Sequence, residues 1–198
     1  TVAVAGNVVC VGYNDIVGAP ASSTGFSVSL DGGATFTDRG ALVAPEFLFV
    51  AGDPSLAYSV RDQAFYFASL TIPIGSGDVT LGIWRSTDQC QTFTFLTEIF
   101  SGIGDKEMMA IDNNPSSPFF GRIHVAYTEL GGAIDQNRTA FSNDGVNWIS
   151  NFVLPGSGEQ GQGAWPAVAP NGDVYVALVN LATERGGPQD QFMFRSQD

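Results

Sequence analysis

Three observations in the sequence predict an all-β chain, a β-propeller of four-stranded antiparallel blades with about four blades represented. A Ser-x-Asp motif recurs along the chain, with serines at 29, 86, 142 and 196 spaced 57, 56 and 54 residues apart. Short apolar segments and β-rich runs repeat in step with it. No segment holds a helical period over eleven residues. A repeat of about 55 residues carrying four short strands is the size of a propeller blade, and stacked blades bury faces that a single sheet would expose.

Each repeat opens on an inner strand, at Thr1–Val4, Pro54–Tyr58, Glu107–Ile111 and Trp165–Ala169. Turns follow, carried by breakers such as Ala5-Gly6-Asn7 and Pro170-Asn171-Gly172-Asp173. The second strands are the apolar runs Val8–Tyr13, Ala64–Leu70, Arg122–Thr128 and Asp173–Val179. A third strand enters the motif and a fourth leaves it, which divides the chain at 1–51, 52–103, 104–161 and 162–198. The motif itself reads as a hairpin turn, Ser29, Asp31, Gly33 and Phe36 in the first copy and Ser86, Asp88 and Phe93 in the second. The third copy, Ser142, Asp144 and Trp148, is one residue shorter, and the fourth begins at Ser196 and Asp198. An aspartate accepts hydrogen bonds from the turn amides and glycine admits positive φ. The closing aromatic, Phe36, Phe93 or Trp148, is expected to pack back between sheets. Cys90 stands at the glycine position of the second copy, so that turn and the shortened one are expected to differ in shape.

Composition narrows the function classes. Twenty acidic residues face eight basic ones, for a net charge of −12. Such a surface repels phosphate backbones and anionic lipid, so neither nucleic acid nor a membrane surface is an expected partner. The long uncharged stretch Leu70–Gly77 is broken by Pro73, so no membrane span is expected. Thr1–Val4 reads as a strand, not as a leader with a basic start. A single lysine and only 14% charged residues lean towards an extracellular or cell-surface protein. Cys10 lies in an apolar run and reads as a buried free thiol, with a Cys10–Cys90 disulfide as the alternative in a secreted protein.

At the motif, the chain resembles the Asp-box, or bacterial neuraminidase repeat, of sialidase-like propellers. The stretch Gly104-Asp105-Lys106-Glu107-Met108-Met109-Ala110-Ile111-Asp112, leading to Gly121–Glu129, is similar to secreted bacterial members of that superfamily. The resemblance implies a ring of six or more blades, completed by further blades of a longer chain or by a second copy. It also implies that substrates bind near the axis, on the face opposite the Asp-box turns. Hydrolases, lyases, sorting receptors and binding proteins share the motif, so it speaks for fold more than for activity. A sialidase site further requires three converging arginines, whereas only Arg138 and Arg185 fall on the expected binding face, and the Phe-Arg-Ile-Pro segment is absent.

On that face, Asp105 and Glu129 end neighbouring strands of one blade and are the candidates for an acid/base pair or a calcium site. The blander reading has Asp105 capping its turn and Lys106 paired with a nearby acid; Asp53 is taken as the equivalent of Asp105 one repeat earlier. Lys106, Arg138, Trp165 and Arg185 are the ligand-binding candidates, Trp165 either stacking on a sugar or packing between blades. Asn14, Glu107, Glu159, Gln160 and Glu184 lie on the same expected face. His124 reads as a core or wall histidine. The expected function is glycan or surface-polymer binding, or structural assembly, without a complete catalytic site in this segment; the alternative is part of a sialidase-like glycoside hydrolase.

Overall fold

The computed structural model describes residues 1–18, 20, 22–99, 102–131, 135–153, 161–180 and 191–196. All regular elements among them are strands, arranged in four antiparallel sheets. The first holds β1 (Val2–Ala5), β2 (Val8–Asn14), β3 (Thr24–Ser29) and β4 (Thr37–Ala41). The second holds β5 (Leu48–Ser59), β6 (Ala64–Pro73), β7 (Thr80–Ser86) and β8 (Thr94–Glu98). The third holds β9 (Ile103–Ile111), β10 (Ile123–Leu130), β11 (Gln136–Ser142) and β12 (Ile149–Phe152). The fourth holds β13 (Gly161–Val168), β14 (Val174–Asn180) and β15 (Gln191–Ser196). Strands follow one another in space as in sequence, the blade topology of a β-propeller.

Burial along the second strand of each blade reports how many neighbours the blade has. In the second and third blades, Ala64–Ser69 and Ile123–Thr128 are buried at every position, because a sheet packs against both faces. In β2 burial alternates residue by residue, so the first blade is covered on one face only. Its other face carries the cross-strand pairs Val2–Val11 and Val4–Val9, with Val2 and Val4 exposed. Between the first and second blades lies an apolar cluster of Cys10, Phe26, Val28, Phe67, Trp84 and Cys90. Tyr66, Leu81, Ile83, Ile123, Val125 and Tyr127 fill the next interface, and Ala126, Ala164 and Val176 the third.

The Ser-x-Asp turns are closed by one repeated set of hydrogen bonds. The amides of Gly33, Cys90 and Gly145 donate to the hydroxyls of Ser29, Ser86 and Ser142 at 2.8, 3.0 and 2.8 Å. Thr35 and Thr92 donate both amide and hydroxyl to Asp31 and Asp88. In the shortened third turn Asn147 takes over, giving its amide and its side-chain amide to Asp144, each at 2.8 Å. Of the closing aromatics, Phe93 sits edge-on to Phe26 and Phe67 with ring centroids 5.1 and 5.2 Å away, bridging the first and second blades. Trp148 packs against the cluster between the second and third blades. Phe36 departs from expectation and is 49% exposed. Its two counterparts are covered by the preceding blade, and among the described residues no blade precedes the first.

The inner strands start earlier than their apolar pattern suggests, at Leu48, Ile103 and Gly161. Each is interrupted by the same irregularity. Between Gly52 and Ser55, between Asp105 and Met108, and between Gln162 and Trp165, two residues of the inner strand face one of its partner. The first of the two is left-handed in every case: Asp53 at φ 53°, Lys106 at 56° and Gly163 at 71°.

Candidate functional site

The repeated bulge turns side chains of successive inner strands toward one another. Asp53 is fixed from the first blade, its amide donating to Asn14 Oδ1 at 2.8 Å while Asn14 Nδ2 donates to Asp53 Oδ1 at 3.4 Å. Lys106 Nζ donates to Asp53 Oδ2 at 3.1 Å and lies 3.8 Å from Asp105 Oδ1. Gln162 of the fourth blade donates to Asp105 Oδ2 at 3.1 Å. Asn14, Asp53, Lys106, Asp105 and Gln162 thus form an unbroken polar chain across four blades. Lys106 is half exposed and its ammonium is held above the ordinary range, first by the hydrogen bond to Asp53 and then by Asp105. The chain presents alternating donors and acceptors, suited to the hydroxyl groups of a polyol.

Glu107 is the second bulge residue and differs from its counterparts. Pro54 and Ala164 hold that place in the neighbouring blades, both buried and apolar. Glu107 is 1% exposed, and neither carboxyl oxygen has a hydrogen-bond partner among the described residues. Burial pushes its carboxyl well above the usual carboxylate range, and Asp53 and Asp105 push it further. A buried acid biased towards its protonated form, beside a lysine and two carboxylates, is a common signature of a functional site.

The bulge alignment corrects one equivalence drawn from sequence: Asp53 matches Lys106, while Asp105 matches Gly52 and Gln162. It also bears on the Asp105–Glu129 pair. Asp105 stands opposite Thr128 and Glu129 opposite Gly104, so the two project from opposite faces of the third blade. Glu129 forms an ion pair with Arg138, whose guanidinium lies 3.8 Å from the centre of the Phe152 ring. Among the described residues no group of three or more His, Cys, Asp and Glu side chains is placed to hold a metal ion. Trp165 is 58% exposed and stands in register with Ala177 and Met193, on the face of the fourth blade turned away from the third. It lies on an exposed face and not on the polar chain. Glu159, Gln160, Glu184, Arg185 and Asp198 lie outside the described residues.

A cavity of about 180 Å³ opens between the third and fourth blades against His124, Phe141, Val176 and Phe194. His124 is buried, and desolvation followed by Arg122 lowers its pKa to about 4. His124 faces Phe141 across the ladder as Tyr66 faces Arg85, and over Tyr66 the turn of the next blade is seated at Gly145. The cavity therefore occupies a packing seat of the repeat.

No protein-family model and no characterised protein sequence matches the chain. Its fold is similar to that of an α-L-arabinofuranosidase from Fusarium graminearum solved with an iminosugar inhibitor, at TM-score 0.71 and 13% identity over 96% of this chain and 59% of that one. An α-L-arabinanase from Penicillium chrysogenum in complex with arabinobiose superposes at TM-score 0.65 and 14% identity, over 91% of this chain and 56% of that one. A protein of unknown function from Dyadobacter fermentans gives TM-score 0.64 and 17% identity, over 95% of this chain and 50% of that one. The chain spans 50–59% of the length of these three structures. At such identities the likeness is one of fold alone, and the fold is an all-β propeller of four-stranded blades.

Proposed function

We propose that the chain is part of an extracellular Asp-box propeller that binds glycan, and that the polar chain from Asn14 to Gln162 is its sugar-contacting rim. The observation that carries this reading is the Lys106 ammonium, held between Asp53 and Asp105 with half its side chain exposed. A cation flanked by two acceptors meets vicinal hydroxyls with both donor and acceptors in place. The arabinobiose seen in the Penicillium enzyme makes arabino-oligosaccharides the first probes, with galacto-oligosaccharides and sialyllactose beside them. In the same reading the exposed faces at Val2–Val4 and Trp165–Met193 pack against further blades of a ring.

Titration calorimetry against that panel tests the proposal. Binding of at least one oligosaccharide is expected, weakened tenfold or more in Lys106→Ala with the far-ultraviolet spectrum unchanged. Heat from none of the probes, or equal affinity in the variant, counts against the rim.

Glu107 favours a second reading, part of a glycoside hydrolase in which this carboxyl serves as the proton donor to the leaving oxygen. Its burial without a partner at a position that is apolar in the adjacent blades supports it. That reading predicts that Glu107→Gln abolishes turnover of an aryl glycoside while oligosaccharide binding persists.

A further inference from the structure

Cys10 and Cys90 stand on different blades, and the register of the repeat shows why they meet. Cys10 is one ladder step beyond the residue that faces a motif serine: Val9 faces Ser29, and Cys10 faces Val28. Tyr66 holds the same place in the second blade, where Phe65 faces Ser86. Over Tyr66 sits the turn of the third blade, so close that a Cβ on Gly145 would lie 2.8 Å from the tyrosine ring. Cys90 is the counterpart of Gly145, since both donate their amides to the motif serine. The turn of the second blade accordingly seats Cys90 over Cys10. Arg39 of β4 holds that turn in place by donating to Gln91 O at 3.0 Å.

Both cysteines are 0% exposed and belong to the same apolar cluster. In this structure both are free thiols; burial, followed by the neighbouring Cys10, pushes the Cys90 thiol far up. Cys90 also adopts φ 61°, at a place where the other two turns carry glycine at 93° and 78°. A side chain there is strained by the turn and is not required by it. Its partner across the interface supplies the reason for it.

We propose that Cys10 and Cys90 form an inter-blade disulfide when the folding chain meets a disulfide oxidant of the glutathione class. One thiolate attacks a sulfur of the oxidant and releases the first glutathione thiol. The second protein thiolate then attacks the mixed disulfide and releases the other. The protein loses two protons and two electrons, and with them the oxidant's S–S bond is reduced to two thiols. Because both sulfurs are buried, exchange takes place during folding or when the edge of the first blade opens.

The test is to refold the chain in a buffer of reduced and oxidised glutathione and, separately, with excess dithiol. Intact mass under non-reducing conditions should fall by two hydrogens in the first sample, and thiols titrated in guanidinium should fall from two to none. Its melting temperature should exceed that of the reduced sample by roughly 10 °C, and this difference should vanish in Cys10→Ser and Cys90→Ser. Two titratable thiols after refolding overturn the proposal, as does glutathione attached to each cysteine without an internal bond. The wild-type masses decide even where a variant fails to fold.

Discussion

The carboxyl of Glu107 is buried where neither oxygen has a hydrogen-bond partner among the described residues, and burial biases it towards its protonated form. Its folded pKa lies above the unfolded value of about 4.5, so the folded state keeps a proton that the unfolded state releases. Stability is therefore full below pH 4.5 and declines as pH rises from there through the raised folded pKa. Glu107→Gln should raise the melting temperature at pH 7, by about 1–3 kcal/mol of stability, and leave it nearly unchanged at pH 4. Thermal melts at the two pH values check this, and equal effects at both would show that the carboxyl is neutralised by other means. Sequence reading placed Glu107 on the binding face but gave the acid role to Asp105. Burial is a property of the blade interface, and no local pattern in Lys106-Glu107-Met108 betrays it. Likewise Glu129 and Arg138 looked available because nothing in the sequence announces that they pair.

At the scale of the element, the turn is the most legible part of the chain. Serine, aspartate and a left-handed residue three or four positions after the serine repeat the same amide-to-serine hydrogen bond three times. Even the missing residue of the third copy is compensated locally, with Asn147 one position closer than Thr92. For Asp88, burial raises the carboxyl pKa, but the hydrogen bonds from Thr92, Ser86 and Gln91 outweigh it and lower the net value. Asp88→Ala strands the Thr92 amide and loosens the seat of Phe93, and should cost about 1–2 kcal/mol in urea unfolding; an unchanged midpoint would mean that the turn is held by packing alone. Second strands were equally legible, since Ala64–Leu70 and Arg122–Thr128 fall within β6 and within one residue of β10. Inner strands were half hidden, because a bulge flips the side-chain alternation midway and only the part beyond it keeps a clean period of two.

Across the molecule, each blade touches only its neighbours, so stability should be graded by position and not uniform. The second and third blades are covered on both faces and the first on one. Amide hydrogen exchange should accordingly be slowest in β6, β7 and β10 and fastest in β1 and β15. Equal protection throughout would mean that the four sheets open as one cooperative unit. Repeat spacing made the blade count readable in advance, whereas the polar chain across four blades was not. Its members, Asn14, Asp53, Lys106, Asp105 and Gln162, lie up to 148 positions apart and meet only because the inner strands converge.

The left-handed residue of the bulge has a consequence for how such a rim diversifies. Gly163 shows that the backbone there asks for no side chain, while Asp53 and Lys106 accept a conformational cost of about 1 kcal/mol each. The ladder on either side is the same whichever residue occupies the place. The second, third and fourth blades therefore each offer an address with an exchangeable tenant, open to a single codon change. A lineage can exchange the side chains along this rim, one blade at a time, without asking the sheets to fold anew.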